Sequence, residues 1–302
     1  MTLEEYSETY KGETFSGSFT TNGRSHNGQT LFTIGENRLY GSDTLEGKFT
    51  YPENAINAGI YAWGGIAWSN DNYLVTVTNE KEEVFTIDPA PITVAIKPQT
   101  SIYGEKTVDL TVANNKDTST DLYSIEGTLY DNADTIFTLQ AQKDDGTPLQ
   151  KGDDARDYKI VGSTTGEGLI NSGNYNVTFE GGGKAYSITA RELKVVLNDF
   201  EAVYGTKETT ETLKNHVTFS YNGSETVFVS EDDRVAALEA LSFTVGDGSY
   251  AENSAAGSTW TVTPDVDPVQ NYTFTVQSGT MTVKPRPITV EISDVSVTYG
   301  TA

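Results

Sequence analysis

The chain contains no cysteine, only two histidines and only two methionines among its 302 residues. Without cysteine there is no disulfide, no thiolate nucleophile and no zinc–thiolate cluster. His26 and His216 lie far apart in the chain, so each reads as an ordinary surface or strand residue rather than as part of a metal centre or catalytic triad. No G-x-S-x-G elbow is present to mark a hydrolase nucleophile. Basic charge is also scarce: 20 Lys and Arg stand against 43 Asp and Glu, for a net charge of −23. Nucleic acid and anionic lipid surfaces both require a clustered basic face, and the sequence offers none. No run of about 18 apolar residues is available to cross a membrane. The start, Met-Thr-Leu-Glu-Glu-Tyr, has neither the basic flank nor the apolar stretch of a signal peptide.

What the chain does have is 28 glycines, 17 tyrosines and abundant Thr and Val, a composition of strands and tight turns. It also repeats itself. An alternating apolar triplet occurs as Ile92, Val94, Ile96, again as Leu193, Val195, Leu197, and again as Ile288, Val290, Ile292. Each triplet is followed, at one and the same offset, by Tyr-Gly: Tyr103-Gly104, Tyr204-Gly205 and Tyr299-Gly300. A period near one hundred residues is too long for a solenoid and fits a row of complete domains. The boundaries expected are 1–90, 91–191 and 192–286, with 287–302 as the start of a fourth unit. Pro89 with Pro91, and Pro285 with Pro287, stiffen two of the passages between units. A first residue that precedes mid-protein sequence, and a last one inside a repeat, suggest a segment of a longer chain.

Short β-rich runs fill each unit. Candidates are Leu31–Ile34, Lys48–Tyr51, Ile60–Trp63, Leu74–Thr78 and Val84–Ile87, then Val108–Val112, Thr128–Tyr130, Ile136–Gln142, Tyr158–Val161, Tyr175–Phe179 and Tyr186–Ala190. Trp260–Val262, Tyr272–Val276 and Met281–Val283 follow in the third unit. One helix is expected there: Ser230 and Asp233 form an S-x-x-D capping box, and Val235, Leu238 and Leu241 supply an apolar stripe. The fold class expected is therefore mainly β, with tandem antiparallel β-sandwich or β-sheet domains in an elongated array and at most a short helix in the third unit.

The junctions resemble the MBG ("mostly β, glycine-rich") repeat family of bacterial cell-surface, adhesin-like proteins. The likeness is clearest at Lys284-Pro285-Arg286-Pro287-Ile288-Thr289-Val290 followed by Tyr299-Gly300. Asn57-Ala58-Gly59-Ile60-Tyr61 looks like the family's Asn-x-Gly-x-Tyr strand, and Asn72-Tyr73 and Asn271-Tyr272 look like a later Asn-Tyr strand. Asn174-Tyr175 fits either strand, which leaves the register of the second unit open. The resemblance covers the unit ends and fades in their middles. It implies extracellular repeats on a bacterial surface, with no catalytic residues to carry over.

Three groups of side chains invite a chemical reading. Tyr61, Trp63 and Trp68 surround Gly64-Gly65 and would suit a stacking platform for a glycan, or simply a packed core. The acid groups Asp144/Asp145, Asp153/Asp154, Glu231/Asp232/Asp233 and Asp265/Asp267 carry the oxygen chemistry that Ca²⁺ prefers, although none has EF-hand spacing and turn or cap roles account for them equally. Lys48, Lys106, Lys159 and Lys194 stand in or beside strand-like stretches, where a lysine can enter an isopeptide bond, but no partner acid is marked. Tyr103, Tyr204 and Tyr299 are read as structural, each ring filling the base of a sandwich with its hydroxyl reaching backbone. The function expected is a non-catalytic stalk: a monomeric, semi-rigid rod projecting a distal region from the envelope, with no cofactor. The alternatives are a module that binds a surface glycan or host protein, and ancillary β-domains of an exported polysaccharide-degrading enzyme.

Overall fold

A computed structural model describes residues 1–35, 39–78, 85–224, 227–246, 248, 250–295 and 299–300. The protein is mainly β. Its contacts divide it into two compact units, one of residues 1–100, 107–149 and 157–187, the other of residues 101–106, 150–156 and 188–302.

The apolar triplets explain the sheets. The strand Ala90–Ile96 is the middle of a three-stranded sheet, antiparallel to Tyr123–Glu126 and parallel to Tyr175–Glu180. The strand Arg191–Leu197 takes the same place between antiparallel Val217–Ser220 and parallel Tyr272–Gln277. A central strand has no free edge, and one of its faces must also be covered. Alternation with period two meets that demand, and Ile92, Val94 and Ile96, like Leu193, Val195 and Leu197, are buried. Second sheets recur in matching order. Gln99–Ile102, Tyr186–Thr189, Asp157–Ser163 and Thr138–Gln142 form one, and Phe200–Val203, Gly279–Lys284, Thr259–Val266 and Leu241–Val245 form the other. The second of these buries Leu197, Phe200, Ala202, Val262 and Met281 together with Leu213.

In the first unit the strands Tyr6–Thr9, Phe85–Asp88 and Gly59–Tyr61 form one sheet, and Ser18–Thr20, Gly47–Thr50 and Gly65–Trp68 another. Aromatic rings fill the space around them. Trp63 lies 5.0–5.9 Å, centroid to centroid, from Phe49, Phe85, Phe19, Tyr6 and Tyr51.

Several expected strands are irregular chain instead, and in two of them side chains take backbone donors. In 108–112, the Val108 N–H donates to the Tyr186 hydroxyl and the Thr111 N–H to the Asp109 carboxylate. In 128–130, the Tyr130 N–H donates to the Tyr175 hydroxyl. Residues 74–78 are not a regular strand either, although the Thr78 N–H donates to the Met1 carbonyl. Val84 lies outside the described residues, and the strand expected there begins at Phe85.

The helix at Ser230 forms as expected. It spans Glu231–Glu239, with the Ser230 and Asp233 side chains exchanging bonds with each other's backbone N–H. Its buried residue is Ala237, however, whereas Val235 is exposed and Leu241 opens the next strand. The helix stops at nine residues, too short to carry the expected stripe as far as Leu241. A second short helix, Thr210–Lys214, was not expected. Its cap is Thr209 with Thr212, a T-x-x-T pairing that lacks the acid of the usual box. Among the described residues no helix is long and apolar enough to cross a membrane.

Candidate functional site: a tyrosine interlock

Each compact unit contains the same polar cluster, built from residues far apart in sequence. In the first, Tyr10 follows the strand Tyr6–Thr9 and extends its ladder by donating its N–H to the Asp88 carbonyl at 2.8 Å. The sheet thus fixes where the ring stands. Its hydroxyl donates to Asp131 Oδ2 at 2.7 Å. The hydroxyl of Tyr175 donates to the same oxygen at 3.1 Å and accepts the N–H groups of Tyr130 and Asp131 at 2.8 and 3.0 Å. The two rings meet edge to face, 5.6 Å apart at 75°. Beside them, Asn174 Oδ1 accepts the Ala58 N–H at 2.9 Å and its Nδ2 donates to Asn57 Oδ1 at 3.0 Å.

In the second unit Tyr103 extends its strand by donating its N–H to the Thr189 carbonyl at 2.9 Å. Its hydroxyl and that of Tyr272 both donate to Asp233 Oδ2, at 3.3 and 3.1 Å. Tyr272 accepts the Val229 N–H at 2.9 Å, and the rings are again edge to face, 5.5 Å apart at 84°. Asn271 repeats the clamp of Asn174, accepting from the Ala155 N–H at 2.7 Å and donating to Asp154 Oδ1 at 3.0 Å. One element is added. Arg191, buried, donates from Nε to the Tyr103 carbonyl and from Nη1 to the Val227 carbonyl, both at 3.1 Å, and lies 4.2 Å above the Tyr221 ring. Ala90 holds the matching position in the first unit, where its strand pairs with Tyr175 as Arg191 pairs with Tyr272.

Tyr103 is thus buried and structural, but its hydroxyl reaches a carboxylate rather than the expected backbone. Gly104 has φ +75°, and a Cβ there would stand 2.1 Å from Val229 Cγ2. Gly12 answers it in the first cluster, with φ +72° and a Cβ position 2.6 Å from Tyr130 Cβ. Tyr204 and Gly205 occupy the corresponding corner after Phe200–Val203, but Tyr204 is 41% exposed. Tyr299 is fully exposed, with Gly300 in a turn beside it. The clusters also fix the open register: Asn174-Tyr175 does what Asn271-Tyr272 does. Tyr10, Asp131 and Asp233 were missed as partners. A Lys separates Tyr10 from its glycine, and the two aspartates hold no common place in the sequence pattern.

Burial raises the tyrosine pKa values. Tyr175 is pushed up to about 12 by desolvation, which outweighs the two N–H donors that favour its ionised form. Tyr10 and Tyr272 are raised further, by burial first and then by the adjacent Asp131 or, for Tyr272, Asp233 carboxylate.

The remaining candidates are engaged locally. Trp63 belongs to the ring cluster above, Trp68 packs edge-on to Phe32 at 5.1 Å, and Tyr61 donates its hydroxyl to the Asn57 carbonyl at 2.8 Å. The His26 ring stacks on Phe19 at 3.8 Å, and that of His216 on Phe200 at 4.2 Å. Asp145 caps its turn through both the N–H and the hydroxyl of Thr147, Asp153 accepts from the Gln150 N–H, and Glu231 pairs with Arg234. Asp265 accepts from the N–H of Val266. Among the described residues no three His, Cys, Asp or Glu side chains converge as a metal site. An open cleft of about 550 Å³ beside residues 107–112 is lined by apolar Val108, Val112, Phe137 and Leu139 together with Asp109, Thr111 and Asp134, and the Thr111 hydroxyl in it donates to Asp109 Oδ1 at 2.6 Å. No protein-family model matches the chain, and no curated protein does.

Three outcomes follow. Asp131→Ala and Asp233→Ala each strip two buried hydroxyls of their acceptor and are expected to cost about 1–3 kcal/mol in urea unfolding. Gly104→Ala combines positive φ with overpacking against Val229 and should cost about 1–3 kcal/mol or more. Gly205→Ala, where the new methyl would meet only the Arg286 guanidinium end, should cost less. A tyrosine whose folded pKa lies above its unfolded value of about 10 stabilises the protein fully below pH 10 and loses that contribution as the pH climbs through the folded value. Stability should therefore fall between about pH 10 and 12 as Tyr175 titrates, and absorbance titration at 295 nm should show tyrosines ionising late and together with unfolding.

Proposed function

We propose that this chain is a set of non-catalytic spacer repeats from a bacterial cell-surface protein similar to the MBG family, holding a distal region away from the envelope. The observation that supports this reading most is the doubled interlock. The polar groups that stand out in each unit, two tyrosine hydroxyls, an aspartate and an asparagine, are spent on one another. Duplicated, inward-facing chemistry is what a load-bearing connection needs, whereas an active site must leave a group open to substrate. The repeated strand order around the buried triplets supports the same reading, since identical modules joined in series add length without adding a new site.

The glycan-platform reading has less support. The Trp63 ring is shared among five core aromatics, so a sugar would have to compete with packing already made.

Small-angle scattering tests the spacer directly. A compact chain of this length has a radius of gyration of about 19 Å. Three strand-built modules in series, on the order of 100 Å long, should give about 30 Å. A value near 19 Å would remove the basis for a spacer.

A further inference from the structure

In the first unit the strand Thr138–Gln142 pairs with Asp157–Ser163 on one side, and among the described residues no strand pairs with it on the other. Successive residues of a strand turn their N–H and C=O groups to opposite sides. The Leu149 N–H donates to the Ala141 carbonyl at 3.0 Å, so Ala141 faces away from Asp157–Ser163. Leu139, two residues earlier, faces the same way. Pro148 and Leu149 cover only the far end of this edge, beside Ala141 and Gln142.

The cleft of about 550 Å³ follows the same edge. It is lined by Phe137, Leu139 and Ala141, which are buried, and also by Thr138 and Gln140, which are exposed. These two sets point to opposite faces of the strand, so a space that touches both runs along its rim. Residues 107–112 form the facing wall and do not supply a strand. The Val108 N–H is held by the Tyr186 hydroxyl and that of Thr111 by Asp109.

The other unit shows how such a wall can be built differently. Leu213 stands at the same offset from Tyr204 as Val112 from Tyr103. It lies on the helix Thr210–Lys214 and shares a core with Phe243 and Val245 of the strand Leu241–Val245. That helix starts from the capping side chain of Thr209. The matching position in the first unit is Val108, which has no oxygen to cap with. The helix is therefore missing there, and the wall is irregular chain beside an open edge.

The charge of the cleft is one-sided. Asp109 and Asp134 line it, and no Lys, Arg or His does. Among the described residues two buried side-chain polar atoms have no hydrogen-bond partner, Asp134 Oδ1 and the Tyr123 hydroxyl. Tyr123 packs edge-on against Phe137, another lining residue, at 5.3 Å. A buried acceptor without a donor is costly, and more so when it carries charge. A donor that arrives with an occupant of the cleft removes that cost.

We propose that this edge takes an extended segment of a partner protein, added as a strand beside Leu139 and Ala141, with a lysine or arginine of that segment on Asp134. Main-chain bonds along the edge supply affinity, and the cleft selects alternate side chains. Val108 and Val112 offer the apolar surface, and Asp134 sets the preference for a basic residue. Charge also excludes a second copy of this chain as the occupant, because it brings a further net charge of −23. The site uses none of the interlock residues and does not depend on the spacer reading.

Fluorescence anisotropy on the whole chain tests this with a labelled peptide, acetyl-Thr-Val-Lys-Val-Lys-Val-Thr-amide. It should bind saturably, and the same peptide with Glu for Lys should not. A version N-methylated at every backbone amide keeps each side chain and charge but loses the main-chain donors, and it should fail to bind. Asp134→Asn should weaken binding by about tenfold or more, the loss expected for a bond to a charged acceptor. Glu167→Gln removes the same charge at an exposed residue outside the cleft and should leave binding unchanged. The N-methylated and Glu peptides are read on the unaltered protein, so they decide the matter even where a variant folds poorly. No saturable binding, equal binding of the Lys and Glu peptides, binding indifferent to N-methylation, or equal effects of Asp134→Asn and Glu167→Gln would each overturn the proposal.

Discussion

Two tyrosine hydroxyls sharing one carboxylate oxygen are the constraint around which the rest of each unit is arranged. A carboxylate accepts more than one hydrogen bond, and bonds to a charged acceptor are worth about 1.5–3 kcal/mol each. The bonds alone would not locate anything, because a free tyrosine ring can swing. Here each ring is held at its root by a strand. Tyr10 and Tyr103 continue the ladders of strands that end beside them, whereas Tyr175 and Tyr272 open strands that run parallel to a central one. Edge-to-face contact sets the remaining angle. The glycine two residues after Tyr10, and the one directly after Tyr103, let the backbone turn away through positive φ where a side chain would strike the facing loop.

The carboxylate is delivered by different means in the two clusters, which shows what is held constant. Asp131 lies on an irregular segment directly after Tyr130. Asp233 sits on the first turn of the helix Glu231–Glu239, where one side chain both closes the capping box with Ser230 and accepts from two tyrosines. The short helix thus has a structural use beyond its small buried face: it aims a carboxylate at the place where the other repeat uses a loop. Arg191 gives a comparable comparison. It ties the Tyr103 carbonyl to the Val227 carbonyl, while the first cluster manages with Ala90 at that place. The tyrosine pair and its shared oxygen persist, and the framing around them varies.

This pattern of constancy decides how much could be read from the chain. The triplets at Ile92 and Leu193 were legible because burial of a central strand demands alternation, and alternation leaves a mark in sequence. Tyr103 was legible because a glycine follows it directly. Tyr10 was hidden by one intervening lysine, and its acceptor was hidden more deeply, since a carboxylate needs only to arrive in space and no spacing rule links Asp131 to Asp233. Residues 108–112 have strand composition, but side-chain acceptors at Tyr186 and Asp109 divert their N–H groups, a competition that propensity does not register. The third triplet shows the converse. Ile288, Val290 and Ile292 carry the full pattern of a central strand yet lie exposed, because a pattern states what a segment needs from its neighbours and does not supply them.

The chemistry of the interlock also suits the charge of the chain. At a net charge of −23, an ion-paired lock in each unit would need basic residues that this sequence uses sparingly. Hydroxyl donors avoid that need, because a tyrosine brings a hydrogen bond and a large apolar ring without adding charge of either sign. Burial then protects the arrangement by holding the phenols neutral well above ordinary pH, so that no further negative charge develops beside the aspartate. What repulsion remains acts through solvent and is screened within about 10 Å at 0.1 M salt, whereas the contacts of the interlock act at hydrogen-bond and van der Waals distance. A strongly acidic chain can therefore be held together inside each compact unit by contacts that bring no further charge.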